Sequence, residues 1–178
     1  RDCLLSRGLG DVYKRQILNM AMMIIVTPFW FACADAYTKK DFLWMKNVIE
    51  KMEMIWKLSI CVLIIMILVS STFYDIWVGD SVKISLSLSV MVGVYILVQN
   101  LCGIYIYMIN GTSKIRLQLV VYLVSAFISV PTMYFLCSKY GITVMLLVPI
   151  SVCLIQAFVA KKQLTKIIRG TASGIWIK

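Results

Sequence analysis

Long apolar runs alternate with short polar stretches along this chain, in the manner of a protein that crosses a membrane several times. Nearly continuous hydrophobic segments occupy residues 17–34, 58–74, 84–109, 117–137 and 142–160. About 20 apolar residues in a helix span the hydrocarbon layer of a bilayer, so each run predicts a transmembrane helix. The third run is longer and is expected to tilt or protrude. Asn110, Gly111 and Thr112 make one turn signal, and Lys139, Tyr140 and Gly141 make a tight second one. Short connections set consecutive spans antiparallel. The expected fold is all-α: a polytopic membrane helix bundle of about five transmembrane helices.

Residues 38–57 follow a different period. Phe42, Met45, Ile49, Met52 and Trp56 recur at steps of three and four, while Lys46, Glu50, Lys51, Glu53 and Lys57 fill the other side. This predicts an amphipathic helix at the membrane interface, with Trp44 and Trp56 at headgroup level, running into the second span. The other placement is against a different part of the same protein. Thr38 and Asp41 resemble a capping box with a short acid. Glu53 and Lys57 stand at i,i+4, the favourable orientation for a helical ion pair.

Composition agrees with the pattern. The chain is 61% hydrophobic, where soluble domains run roughly 45–50%, and its mean hydropathy is +0.90. It has no His, and no acidic residue follows Asp80. The net charge of +10 is not a nucleic-acid footprint, because the basic residues fall in alternate loops. Lys39, Lys40, Lys46, Lys51 and Lys57 precede the second span. Lys114 and Arg116 follow the third, and Lys161, Lys162, Lys166, Arg169 and Lys178 follow the fifth. The intervening loops hold only Lys83 and Lys139. The positive-inside rule places the richer set, and the C-terminus, in the cytoplasm, facing anionic membrane lipids. Cys33, Cys61, Cys102, Cys137 and Cys153 lie in or beside apolar runs without metal-ligand spacing, and are expected to be reduced packing residues.

Candidate chemistry is sparse. The spans carry almost no ionisable group, so a carboxylate proton or sodium relay has no place in them. No catalytic residue, metal ligand or cofactor site is expected. Uncharged polar stripes do occur. Gly93, Asn100 and Tyr107 are seven apart on the third span, with Gly103 and Asn110 extending that face. Gln118, Tyr122, Ser125 and Ser129 form a stripe on the fourth. Unsatisfied polar groups in lipid cost several kcal/mol, so both faces should turn inward. There they either pack between helices or line a wet cavity, and Asn100, Tyr107 and Gln118 are the candidates for a substrate path. Pro28, Pro131 and Pro149 can each kink a helix, a feature of discontinuous transporter helices and also of ordinary membrane helices. Residues 110–112 match a glycosylation sequon, which a cytoplasmic turn would not use.

Residues 1–16 differ in kind from the rest. Asp11-Val12-Tyr13-Lys14-Arg15-Gln16 can be encoded by GAT-GTG-TAT-AAG-AGA-CAG, which resembles the end sequence of transposase-based sequencing libraries. Ser6 to Gly10 and Arg1-Asp2 fit the adapter segments outside it. The stretch is expected to be a translated adapter, to be set aside in reasoning about the fold. The natural sequence is then expected to begin inside the first hydrophobic run, within a longer reading frame, and residues 170–178 to form a loose cytoplasmic tail.

Three passages carry a family resemblance. Thr27-Pro28-Phe29-Trp30, Ala34-Asp35-Ala36-Tyr37 and Lys40-Asp41-Phe42-Leu43-Trp44-Met45-Lys46 resemble one conserved passage of polysaccharide flippases. Ile76-Trp77-Val78-Gly79 resembles their outer turn, and residues 109–118, with Asn110, Gly111, Lys114 and Gln118, their cytoplasmic hairpin. The chain thus resembles the Wzx-type O-antigen and oligosaccharide flippases of the multidrug/oligosaccharidyl-lipid/polysaccharide exporter superfamily, over residues 17–169. Pro28, Trp30, Asp41, Asn110 and Gly111 are the family-motif residues. The resemblance implies two lobes around a central cavity. It implies flipping of undecaprenyl-pyrophosphate-linked oligosaccharide across a bacterial inner membrane, for O-antigen and lipopolysaccharide synthesis. Residues 17–169 would be a C-terminal lobe, inactive without its counterpart. Basic residues expected in the family's cavity are not found mid-span here. Polysaccharide polymerase and chain-length machinery are the implied protein partners.

Other readings remain open. The chain could export drugs or a peptidoglycan precursor within the same superfamily, or be a non-catalytic membrane subunit. A membrane enzyme fits poorly, because acid–base chemistry needs groups within reach of substrate, and the external loops are short and without His.

Overall fold

The computed structural model describes the backbone of residues 2–77 and 86–176, and the side chains of residues 17–68 and 87–176. The protein is an all-α membrane helix bundle. Its helices are α1 (Asp2–Thr38), α2 (Phe42–Trp77), α3 (Leu86–Gly111), α4 (Arg116–Tyr140), α5 (Ile142–Met145) and α6 (Leu147–Ile168), followed by a 3-10 turn at Gly174–Trp176. No strand occurs among the described residues. The adapter-like residues 1–16 have no described side chains, and the outer loop with Asp80 and Lys83 lies outside the described residues.

Among the described residues four stretches are long and apolar enough to cross a membrane: Ile17–Thr38, Ser87–Gly111, Arg116–Tyr140 and Ile142–Ile168. They wear their apolar side chains outward. Ile24, Phe31, Phe127, Val130 and Tyr134 are each about 70–80% exposed, which water would penalise and lipid tails do not. The predicted span over 58–74 is the second half of α2, whose backbone stays helical to Trp77. Amphipathic segment and span are one helix of 36 residues. At 1.5 Å per residue it reaches about 54 Å, well beyond the ~30 Å hydrocarbon layer.

Helix α3 is the centre of the bundle, packed on α1, α2 and α6, while α4 and α5 sit outside against α6. Cys33, Met45, Met52, Ile104, Met108, Ile109, Ala160 and Leu164 form the main core. A smaller cluster joins Leu18, Leu63 and Ile96 nearer the other end. Of the two placements for the amphipathic segment, its apolar face takes the protein side: Met45, Val48 and Met52 are buried against this core, and the Trp56 indole donates to the Leu97 carbonyl at 2.8 Å. Leu43 and Met54 remain exposed on the flank.

Local chemistry sets the helix ends, and several differ from expectation. Asp41, not Thr38, caps α2: its Oδ1 accepts the Trp44 amide at 3.0 Å. Thr38 instead donates to the Asp35 carbonyl at the end of α1, and Lys40 turns the chain with φ 58°. The turn signal at Asn110-Gly111 is still helix, and the chain reverses only over Thr112, Ser113 and Lys114. Lys139 and Tyr140 also belong to a helix, so Gly141 alone, at φ 84°, makes the reversal. Helix α6 continues eight residues past the predicted end of its span. It stops in a Schellman motif, where Thr171 N–H donates to the Lys166 carbonyl and Gly170 N–H to that of Ile167. Gly170 supplies the left-handed residue (φ 68°) that this motif requires. Pro28 and Pro131 stand inside α1 and α4. Pro149 falls in the first turn of α6, where no intrahelical donor is lost.

Candidate functional site: a polar cavity within the bundle

A cavity of about 450 Å³ opens between α1, α3, α4 and α6, within the ~300–1,000 Å³ of small-molecule sites. Helix α3 gives it Tyr95, Gln99, Asn100, Tyr107 and Asn110. Asn19 enters from α1, Tyr122 from α4, and Cys153 and Gln156 from α6. Among the described residues lining it there is no Lys, Arg, Asp or Glu. Among these residues the polarity comes mainly from amides and phenols.

Two of those amides are incompletely bonded. The Asn100 and Gln156 side chains are 6% and 1% exposed, and neither Asn100 Nδ2 nor Gln156 Nε2 has a hydrogen-bond partner. Gln156 Oε1 lies 3.7 Å from Cys102 Sγ, its donor on α3. Both nitrogens are closed off from the cavity's open space, so each is an unpartnered donor inside the packed bundle. Among the described residues no group of three His, Cys, Asp or Glu gathers that could hold a metal ion.

Asn100 and Tyr107 both line this cavity, with Asn110 beside them, whereas Gln118 stands elsewhere. Gln118 is buried at the start of α4, and its Nε2 donates to Gln163 Oε1 at 2.9 Å. Gln163 in turn donates to the carbonyls of Lys114 at 2.8 Å and Trp176 at 3.3 Å. One buried amide thus ties α6 to α4, to the α3–α4 turn and to the C-terminal segment. Lys166 Nζ adds a cation–π contact 4.0 Å from the Trp176 ring centre. Residues 170–176 are anchored, in contrast to the loose tail expected, because Gln163 and Lys166 recur on the side of α6 that faces them.

The five motif residues mostly meet where α1 crosses α3. Trp30 stacks on Phe31 and lies 6.2 Å from Tyr107. A Cβ on Gly111 would come within 3.0 Å of the Trp30 carbonyl and 3.1 Å of the Ala34 nitrogen, so only glycine allows this approach. Asn110 precedes it on the cavity wall. Pro28 lies two residues before Trp30 on α1, and Asp41 caps α2.

A second polar cluster joins α2, α3 and α6. Tyr105 donates to Glu53 Oε1 at 2.6 Å, and Lys161 to the same oxygen at 3.0 Å. Glu53 therefore turns to Lys161 rather than to its helical neighbour Lys57, whose charge acts only through space. Burial works to raise the Glu53 carboxyl, but the hydrogen bonds from Tyr105 and Lys161 and the charges of Lys161 and Lys57 hold it below its ordinary value of 4.5.

Sequence periodicity pointed to Asn100, Tyr107 and Tyr122 but not to Gln156 or Gln163. Each is a lone amide in an otherwise apolar or basic run of α6, without a stripe around it. The available signal was the cost of an isolated amide in a span. Compared with known proteins, the chain matches no family model, no curated protein and no solved structure.

Proposed function

We propose that this chain forms one lobe of a flippase that carries undecaprenyl-pyrophosphate-linked oligosaccharide from the cytoplasmic to the outer face of a bacterial inner membrane. The observation that supports it most is the cavity between α1, α3, α4 and α6, whose described lining carries amides and tyrosines and no charged side chain. A hydroxyl-rich glycan needs hydrogen-bond partners in place of water while it crosses, and amides offer both donors and acceptors. The motif resemblance across α1, α2 and the α3–α4 turn adds weight. Transport would proceed by alternating access, the two lobes rocking around a shared site, with the C-terminus in the cytoplasm. The chemistry is translocation, and no covalent step is assigned to it.

The test is restoration of O-antigen in a flippase-deletion strain, with the chain expressed alone and joined to an N-terminal lobe from a related flippase. Restoration only by the joined form is the expected result. Restoration by the chain alone would remove the two-lobe mechanism. Failure of every joined form that reaches the membrane would remove the function.

A further inference from the structure

The positive charge of this molecule is unevenly shared. The α1–α2 side carries Lys39, Lys40, Lys46, Lys51 and Lys57 together with Asp35, Asp41, Glu50 and Glu53, so the two signs nearly cancel. Lys39 pairs with Asp35, Lys46 with Glu50, and Glu53 with Lys161 of α6. The α3–α4 turn and the end of α6 carry Lys114, Arg116, Lys162, Lys166 and Arg169, and no acidic residue follows Asp80. Among the described residues none of these five has a carboxylate partner, and each is exposed or half-buried.

The fold brings these five to one corner. Gln163 Nε2 donates to the carbonyls of both Lys114 and Trp176, at 2.8 and 3.3 Å, so the α3–α4 turn and the segment 170–176 converge on one side chain. Lys162, Lys166 and Arg169 follow in steps of four and three along α6 and its C-cap, on one side of the helix. The same side carries Leu154 and Phe158 earlier in α6, both exposed, and Lys162 Nζ rests 4.6 Å from the Phe158 ring centre. The surface passes from apolar to basic within one turn, as a helix does where it leaves the hydrocarbon for the headgroups. Ile115 and Ile175 stand beside these charges, 49% and 66% exposed, and Trp176 lies under the Lys166 ammonium. Apolar side chains ringed by cations suit an anionic bilayer surface: headgroup phosphates answer the charge, and the acyl boundary takes the Ile and Trp.

We propose that the corner formed by Lys114, Arg116, Lys162, Lys166 and Arg169 is a docking site for anionic phospholipid headgroups, with Ile115, Ile175 and Trp176 set into the leaflet at its rim. The segment 170–176 then lies on the membrane as an interfacial anchor. The positive-inside rule asks only that basic residues share one side of the membrane, whereas this assigns the lipid preference to one corner of that side. It goes beyond the flippase reading and does not depend on it.

The test uses the full chain in phosphatidylcholine nanodiscs, cysteine-free except for Ser173→Cys, which carries a bimane fluorophore. Phosphatidylglycerol or phosphatidylcholine, spin-labelled near the headgroup, is added as quencher. Phosphatidylglycerol is expected to quench more effectively, on the order of tenfold at low salt, and the preference should shrink as salt is raised. Replacing Lys114, Arg116, Lys162 and Arg169 together by Gln should abolish the preference; Lys166 is kept because it holds Trp176. Replacing Lys39, Lys40, Lys46 and Lys51 by Gln removes as much charge from the α1–α2 side and should leave the preference intact. Ile175→Ser should lessen quenching by both lipids alike. Equal quenching by the two lipids, a preference that survives the first set of changes, or one lost equally in the second would each overturn the site. Unchanged quenching in Ile175→Ser would overturn the insertion. Loss of the preference to inorganic phosphate, beyond the effect of chloride at equal ionic strength, would overturn the lipid assignment in favour of a small-anion site. Absence of quenching by either lipid would also overturn it, and would leave the charge to an acidic protein partner.

Discussion

Glu53 shows how one side chain can join three helices. It sits on α2, accepts a hydrogen bond from the Tyr105 hydroxyl of α3 and pairs with Lys161 of α6. Its carboxyl is held below the ordinary range, so the native state favours the ionised form. That contribution is fully present above the unfolded-state value, about 4.3 for a glutamate, and fades as pH falls through the lower native value. Melting curves of the wild-type chain and Glu53→Gln in detergent should differ by a constant few degrees at neutral pH, and converge as pH drops below about 4. A gap that persists unchanged at low pH would show that charge has no part in the contact. Gly111 is the opposite case, a residue that acts by having no side chain. Gly111→Ala places its Cβ 3.0–3.1 Å from backbone atoms of α1 that cannot move aside. Overpacking of this kind costs about 1–3 kcal/mol, readable as a lower melting temperature.

At the scale of elements, α4 stands apart. None of its most apolar window is buried, and it meets the bundle through α5, α6 and the C-terminal turn. Gln163 provides the tie at one end and Gly141 the reversal at the other. Gln163→Leu strands the Gln118 amide in an apolar setting and frees the carbonyls of Lys114 and Trp176. It should cost on the order of 1–3 kcal/mol. It should also open Lys166 to trypsin in the native protein, since Trp176 no longer covers it. Adding Gln118→Leu should recover part of the lost stability, because an apolar pair is less unfavourable than one buried orphan. A double variant as unstable as the sum of both changes would mean that the two amides do not act together.

For the whole molecule, contacts among helix ends bring the basic segments to one end of the bundle. Gln163 joins α6 to the turn at Lys114, and Lys161 joins it to the first half of α2. Gly111 sets the end of α3 against the end of α1. Eleven basic residues among those described thus share one end, while Lys139 lies at the other. On a cysteine-free background, Ser113→Cys and Thr171→Cys should react with a membrane-impermeant maleimide from the same side, and Gly141→Cys only from the opposite side. The first two are expected to face the cytoplasm. Labelling of all three from one side would dismantle the multi-pass arrangement.

Apolar run length was enough to establish membrane helices, because crossing a bilayer demands about 20 apolar residues whatever the neighbours are. The three- and four-residue steps likewise placed Met45 and Met52 on one face of α2. They could not say whether lipid or protein covers that face, since hydrocarbon tails and a packed core favour the same residues. The tertiary structure decided that, and it decided the fates of the amides. Asn100 and Gln118 look alike in sequence, each a polar residue on a helical stripe. One lines a cavity with its Nδ2 unpartnered, and the other gives its Nε2 to Gln163, 45 residues away, while its Oε1 stays unpartnered. Hydrogen-bond satisfaction depends on what stands opposite in space, and a helical period reports only the side of the helix on which a residue lies.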